Sequence, residues 1–112
     1  MSVTTGSQVA NILYPGDRCC QIFKKRDFAG DWLLACLNEG ELEGEVNVRD
    51  HGFNNNMSSW WCGKDIAYDF CDGRPGTNCQ AAHGTSGAGS IKNSNAHQFN
   101  NELTTMYLYN YS

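Results

Sequence analysis

Two six-residue motifs rich in oxygen donors occur in the chain, one near its middle and one near its C-terminal end. Each has two adjacent asparagines, two variable residues and two hydroxyl residues, followed by bulky apolar residues: Asn54-Asn55-Asn56-Met57-Ser58-Ser59 and Asn100-Asn101-Glu102-Leu103-Thr104-Thr105. Amide and hydroxyl side chains, together with the free carbonyls of a tight turn, are the hard oxygen ligands that Ca²⁺ requires. One such hexapeptide on its own is more often an ordinary turn than a metal site, because Asn and Ser are good turn residues. Two copies in register, each before a strand, favour calcium binding.

Short strands separated by turns must position these motifs. The chain has 112 residues, few charged side chains and 12 glycines, which is typical of one all-β domain with many turns rather than a helical bundle. Alternating or apolar runs predict strands over residues 19–24, 31–37, 45–49, 58–62, 65–71 and 104–111. Residues 1–10 are expected to form a flexible arm with at most an edge strand, and residues 11–112 a single domain.

Charge and motif content argue against several classes of function. A net charge of −4 predicts no binding to nucleic acid, and the sequence contains no apolar run long enough to span a membrane. His51, His83 and His97 have no serine, cysteine or carboxylate at a spacing typical of catalysis, so the sequence does not predict an enzyme.

Six cysteines are a high number for a chain of this length. An even count favours three disulfides and a secreted or extracellular location over a cytoplasmic one, although the sequence begins without the features of a signal peptide. The pairing is open among 15 connectivities, and free thiols or a zinc site are the alternatives. Cys19 and Cys20 are neighbours on a predicted strand and point to opposite faces, so each should have a separate partner. A disulfide could also join Cys71 and Cys79, the two ends of a turn-rich stretch. The six candidates are Cys19, Cys20, Cys36, Cys62, Cys71 and Cys79.

A folded hairpin and an internal duplication are also predicted. Phe23 and Phe28 can pack over a bend in which Gly30 takes a positive φ. If Tyr68 is the counterpart of Phe23, the two halves reach their Asn-Asn motifs after nearly equal distances. This spacing indicates a repeated four-strand unit.

The aromatic-x4-aromatic-x-Gly pattern at Phe23, followed by the first Asn-Asn motif, resembles the βγ-crystallin Greek-key repeat in its calcium-binding, microbial-type form. The second repeat departs from it, since the aromatic-x-Gly ending is absent after Tyr68 and Thr105 replaces serine. The resemblance implies an all-β fold in which two Greek-key motifs, about 11–63 and 64–112, form a βγ-crystallin-like β-sandwich.

The resemblance also implies two calcium sites at one end of the sandwich. Each site would take a side-chain oxygen from the second motif position, a carbonyl from the third, a hydroxyl from the fifth, and a carbonyl from the residue just after the first aromatic of a hairpin, with ligands shared across the two units. The implied ligands are Asn55, Asn56, Ser58 and Lys24 for the first repeat, and Asn101, Glu102, Thr104 and Asp69 for the second. Because most of these donors are neutral, weak binding is expected, in the micromolar to millimolar range.

These patterns lead to two functional hypotheses. The first is a calcium-binding structural or stress-related protein, stabilised by Ca²⁺. The alternative is a secreted, cysteine-rich defence protein: antimicrobial, killer toxin-like or an inhibitor. A carbohydrate- or surface-binding module using Trp60, Trp61 or the tyrosines is a third class, although those aromatics are more typical of a core. A monomer or weak homodimer is expected, with Tyr107, Tyr109 and Tyr111 as one candidate interface.

Overall fold

Nine antiparallel strands build the part of the chain that the computed structural model describes, which is residues 1–8, 10–53, 56–71, 79–81, 89–91 and 103–111. The strands are β1 (Ser2–Gly6), β2 (Cys19–Lys25), β3 (Ala29–Cys36), β4 (Glu43–Asn47), β5 (Ser59–Cys62), β6 (Ile66–Cys71), β7 (Cys79–Ala81), β8 (Gly89–Ile91) and β9 (Thr105–Asn110). A 3-10 helix, Val48–His51, follows β4. No helix within these ranges is long and apolar enough to cross a membrane.

The strands form two sheets. The first has the order β1-β3-β2-β5-β8 and the second the order β4-β9-β6-β7. Two four-strand units, β2–β5 and β6–β9, therefore follow the same path, and each places its third strand in the sheet of the other unit. The predicted sandwich of two Greek-key motifs is confirmed.

One hydrophobic core lies between the sheets. Alternate residues along each strand point into it, so that strand periodicity decides which side chains are buried. The first sheet contributes Cys20, Ile22, Leu33, Ala35, Trp60 and Cys62, and the second contributes Val46, Ile66, Tyr68, Phe70, Met106 and Leu108. Leu37, Val48, Phe53, Met57 and Leu103 complete the core.

The N-terminal segment forms the edge strand that its sequence allows. β1 pairs with β3 from Ser2, opposite Cys36, to Gly6, opposite Trp32. The indole of Trp32 lies against Gly6 so closely that a Cβ there would collide with the ring, and its Nε1 donates to the carbonyl of Ser7 at 2.9 Å. These contacts attach the segment to the sandwich.

The predicted strand 45–49 is shifted. β4 begins at Glu43 and ends at Asn47, where the chain turns into the 3-10 helix. The Asn47 side chain accepts a hydrogen bond from the backbone N–H of Arg49 at 3.2 Å, and Gly52 ends the turn at φ 88°. This local hydrogen bond competes with the strand ladder and stops β4 two residues earlier than the alternation of valines predicts.

Three disulfides join residues that stand directly opposite each other in paired strands. Cys19–Cys36 links β2 to β3, Cys20–Cys62 links β2 to β5, and Cys71–Cys79 links β6 to β7. The neighbours Cys19 and Cys20 thus have different partners, as their opposite faces predict. Because no cysteine is free, the free-thiol and zinc alternatives are wrong.

Candidate calcium site

The hairpin between β2 and β3 folds back over the outer face of the first sheet. The rings of Phe23 and Phe28 pack with their centroids 5.4 Å apart, and Phe28 stacks on Trp61 at 5.5 Å. Gly30 has the predicted positive φ of 81°, but Asp27 and Phe28 also have positive φ, at 58° and 59°. Because non-glycine residues seldom adopt this conformation, other contacts must hold the bend.

Ser59, the last residue of the first Asn-Asn motif, supplies two of these contacts. Its hydroxyl donates to the carbonyl of Lys25 at 2.6 Å and accepts from the N–H of Phe28 at 3.0 Å. The residue is fully buried, so these bonds do not compete with water. The last residue of the motif therefore holds the hairpin in its bent conformation. This role of Ser59 was not predicted from the sequence, although the hydroxyl residue at the end of the motif could have indicated it.

Substituting Ser59→Ala is expected to destabilise the protein by about 1–3 kcal/mol, since the N–H of Phe28 and the carbonyl of Lys25 would each lose a partner. Ser59→Thr is the matched control because it keeps the hydroxyl. Denaturant titration of both variants measures the difference. Equal stability of the two variants would show that the clamp contributes nothing.

The first bend brings together the candidate ligands that the structure describes there. The backbone N–H of Ser58 donates to the carbonyl of Phe23 at 2.9 Å, which places the motif beside Lys24, the next residue along β2. The Oδ1 atom of Asn56 is buried and has no hydrogen-bond partner among the described residues. Asn55 lies outside the described residues.

The described part of the second motif, residues 103–105, lies at the same end of the sandwich. The N–H of Thr104 donates to the carbonyl of Cys71 at 2.8 Å, and the carbonyl of Thr104 accepts from the N–H of Val48 at 3.0 Å. The carbonyl of Val48 in turn accepts from the N–H of Phe53, which directly precedes the first motif. Two hydrogen bonds therefore connect the motifs, as the duplication predicts. Asn101 and Glu102 lie outside the described residues.

Three solved structures have a fold similar to that of this chain. One that was solved to study the evolution of the eye-lens βγ-crystallin domain fold aligns with a TM-score of 0.74 and 21% identity, covering 99% of this chain and 100% of that chain. The chain has a βγ-crystallin fold. Spherulin 3A from Physarum polycephalum aligns with a TM-score of 0.61 and 17% identity, covering 100% and 98% of the two chains. A βγ-crystallin from Ciona intestinalis aligns with a TM-score of 0.58 and 19% identity, covering 79% and 95%. No protein-family model and no curated protein matches the sequence.

The strand register of the βγ-crystallin fold corrects the alignment of the two repeats. Ser59 pairs with Phe23 in the first unit, and Thr105 pairs with Cys71 in the second. The counterpart of Phe23 is therefore Cys71 and not Tyr68.

The assignment of Asp69 as a carbonyl ligand is consequently three residues out of register. Asp69 lies inside the second sheet, opposite both Tyr107 and Ala81, and not at the bend. The position equivalent to Lys24 is Asp72, which lies outside the described residues.

The candidate ligands that the structure describes at the first bend, Asn56, Ser58 and the carbonyl of Lys24, are all neutral oxygen donors. The described residues contain no group of three or more His, Cys, Asp or Glu side chains that could hold a metal ion. The ammonium group of Lys24 stands 5.3 Å from the centre of the Phe53 ring. A cation at this bend would thus be held by amide, carbonyl and hydroxyl groups with a positive charge nearby.

The outer face of the second sheet carries the tyrosine row. Tyr107 and Tyr109 are half-buried, whereas Tyr111 is 50% exposed. Tyr109 donates its hydroxyl to Oδ2 of Asp69 at 3.2 Å. Partial burial raises the pKa of Tyr109, and the negative charge of Asp69 raises it further. The side chain of Asp69 therefore accepts a hydrogen bond on the outer face of the second sheet and does not lie at the bends.

Proposed function

We propose that this protein is a calcium-binding βγ-crystallin-like protein with a structural or stress-related role, in which Ca²⁺ stabilises the folded domain. The first site would use Asn55, Asn56, Ser58 and the carbonyl of Lys24. The second would use Asn101, Glu102 and Thr104, with the carbonyl of Asp72 in the place earlier assigned to Asp69.

The buried Oδ1 atom of Asn56 is the observation that carries this proposal. A buried acceptor without a partner costs about 1–3 kcal/mol, so folded proteins rarely leave one. The atom belongs to the motif predicted to bind calcium, two residues before Ser58, whose N–H donates to the carbonyl of Phe23, the residue before Lys24. The resemblance implies only the backbone carbonyl of Asn56 as a ligand, but a hard cation bound at this bend would also supply the missing partner of Oδ1, since amide oxygens are ordinary calcium ligands.

Calcium binding should be weak but sufficient to stabilise the domain. Affinity falls as the number of charged ligands falls, and the ammonium of Lys24 disfavours a second positive charge close by. An ion that binds only the folded state contributes about 2.7 kcal/mol when its concentration exceeds Kd a hundredfold. At about 1 mM free calcium, a site with a Kd of about 10 μM would therefore contribute about 2.7 kcal/mol, whereas a site with a millimolar Kd would contribute only about 0.4 kcal/mol.

Asn56→Asp tests the site at the buried side-chain oxygen of Asn56. The new carboxylate adds a formal charge to the ligand set, so Kd for calcium is expected to fall about tenfold, which equals about 1.4 kcal/mol. Without calcium, the same carboxylate is buried without a partner and should cost about 1–3 kcal/mol or more. Calorimetric titration with calcium and thermal unfolding with and without the ion measure both effects.

Asn11→Asp is the matched control for that experiment. It makes the same isosteric change and adds the same charge at an exposed residue outside both motifs, so neither calcium affinity nor stability should change. The proposal is wrong if the wild type gives no calcium heat at millimolar ion and Asn56→Asp is destabilised without recovery on adding calcium.

A secreted defence protein is the second candidate function. The observation that favours it is the pairing of all six cysteines, because small disulfide-rich domains are typical of oxidising, extracellular surroundings. Growth-inhibition assays on fungi and bacteria, with calcium and with a chelator, separate the two candidates. Inhibition that persists in the chelator would favour the defence role over the calcium-dependent one.

A further inference from the structure

The two bends occupy equivalent places but are supported differently. In both units the fifth motif residue donates its N–H to the backbone carbonyl of an equivalent residue in the unit's first strand: Ser58 to Phe23 of β2, and Thr104 to Cys71 of β6. The sixth motif residue pairs with the same strand residue in each case. A cysteine in the second unit therefore stands where the first unit has a buried phenylalanine.

Aromatic packing and a buried hydroxyl hold the first bend. The ring of Phe23 packs on Phe28, which stacks on Trp61. The hydroxyl of Ser59 fastens the backbone of the same hairpin. Phe23, Phe28, Trp61 and Ser59 thus hold the part of β2 that carries the candidate ligand Lys24, and none of these contacts involves a disulfide.

The sequence of the second unit does not provide the aromatic packing that holds the first bend. The segment 72–78, which follows Cys71, contains no aromatic residue in its sequence Asp-Gly-Arg-Pro-Gly-Thr-Asn. The hydroxyl of Thr105, the equivalent of Ser59, is buried and has no partner among the described residues. What the second unit has instead is the disulfide Cys71–Cys79, which ties the end of β6 to the start of β7 and closes this segment at both ends.

We infer that the Cys71–Cys79 disulfide is the positioning element of the second calcium site, replacing the aromatic hairpin that positions the first. This inference rests on the proposed function. Cys71 is fully buried and accepts the N–H of Thr104, whose hydroxyl is a candidate ligand. Holding Cys71 in place therefore holds Thr104 in place. Without the disulfide, part of the free energy of calcium binding would be used to order Thr104, so the affinity would fall.

Two variants and two backbone reporters test the inference. The double substitution C71A/C79A removes the disulfide of the second sheet that joins β6 to β7. The control, C19A/C36A, removes a cross-strand disulfide of the first sheet. Calcium is titrated into each isotope-labelled protein, and the amide NMR signals of Ser58 and Thr104 report on the first and second bends separately. If C71A/C79A does not fold, C71V/C79V, which fills the space of the sulfurs, takes its place.

The expected result is a selective loss. In C71A/C79A the calcium midpoint at Thr104 should rise at least tenfold while the midpoint at Ser58 stays unchanged, and in C19A/C36A neither should move. Equal midpoints in wild type and C71A/C79A, or equal shifts at both bends, overturn the inference and leave the proposed function intact. A wild-type protein whose amides do not respond to millimolar calcium instead overturns the proposed function and this inference together.

Discussion

Replacing Trp60 with alanine is expected to lower the free energy of unfolding by about 3–5 kcal/mol, the cost of removing a large buried aromatic side chain. Trp60 is fully buried between the sheets, where its ring meets Phe70 edge-on at 5.3 Å. Its Nε1 donates to the hydroxyl of Tyr68 at 3.1 Å. The substitution therefore leaves a cavity and removes the partner of a buried hydroxyl. Since domains are stable by only about 5–15 kcal/mol, the variant should be close to unfolding at room temperature.

Trp61→Ala is the internal control, one residue further along β5. Trp61 points to the outer face of the first sheet, where it is half-buried against Phe28 and Tyr14. Its loss should cost about 1–2 kcal/mol, in line with the value of aromatic pairs at partly exposed positions. Guanidinium unfolding of both variants gives the comparison, and similar losses would mean that the two sheets do not depend on Trp60.

Removing the disulfide Cys20–Cys62 with the double substitution C20A/C62A is the second change with a large expected effect. The two cysteines are separated by 42 residues, and closing a loop of that length is worth about 4 kcal/mol in the chain-entropy model. Both residues are fully buried in the core, so the missing sulfurs also leave unfilled space. Guanidinium unfolding, with the fluorescence of the tryptophans as the signal, measures the loss.

C19A/C36A serves here as the matched comparison, since it removes a disulfide from the same strand. Cys19 and Cys36 are half-buried and 17 residues apart, which corresponds to a loss of about 3 kcal/mol. The experiment compares the losses of unfolding free energy in the two variants, and C20A/C62A is expected to show the larger loss. If C19A/C36A were the more destabilising pair, burial and loop length would not be what sets the value of these disulfides.

Local patterns predicted much of the fold. The alternation along β2 assigned Cys19 and Cys20 to opposite faces, and their separate partners follow from it. The spacing of Phe23, Phe28 and Gly30 predicted the folded hairpin, because ring packing and a positive φ are properties of neighbouring residues. Each of these features depends on a few residues close together in sequence.

Features that depend on pairing between distant segments were not predictable in this way. Tyr68 was aligned with Phe23 because both are aromatic, whereas the register shows that a disulfide-bonded cysteine, Cys71, has taken that place. The early end of β4 depends on one hydrogen bond that the Asn47 side chain accepts from the N–H of Arg49, which competes with the ladder. The burial of Asn56 Oδ1 is likewise invisible in sequence, since it depends on how the bend packs.

The crossing of the third strands makes each half of the molecule incomplete. Without β8 the first sheet would lose the neighbour of β5, and without β4 the second would lose the neighbour of β9. A lone half could cover those open edges only by exchanging β4 with a second copy of itself, which is domain swapping into a twofold dimer. The present chain has the strand order of such a swapped dimer within one polypeptide, with an aromatic hairpin in its first half and a disulfide at the equivalent strand of its second half.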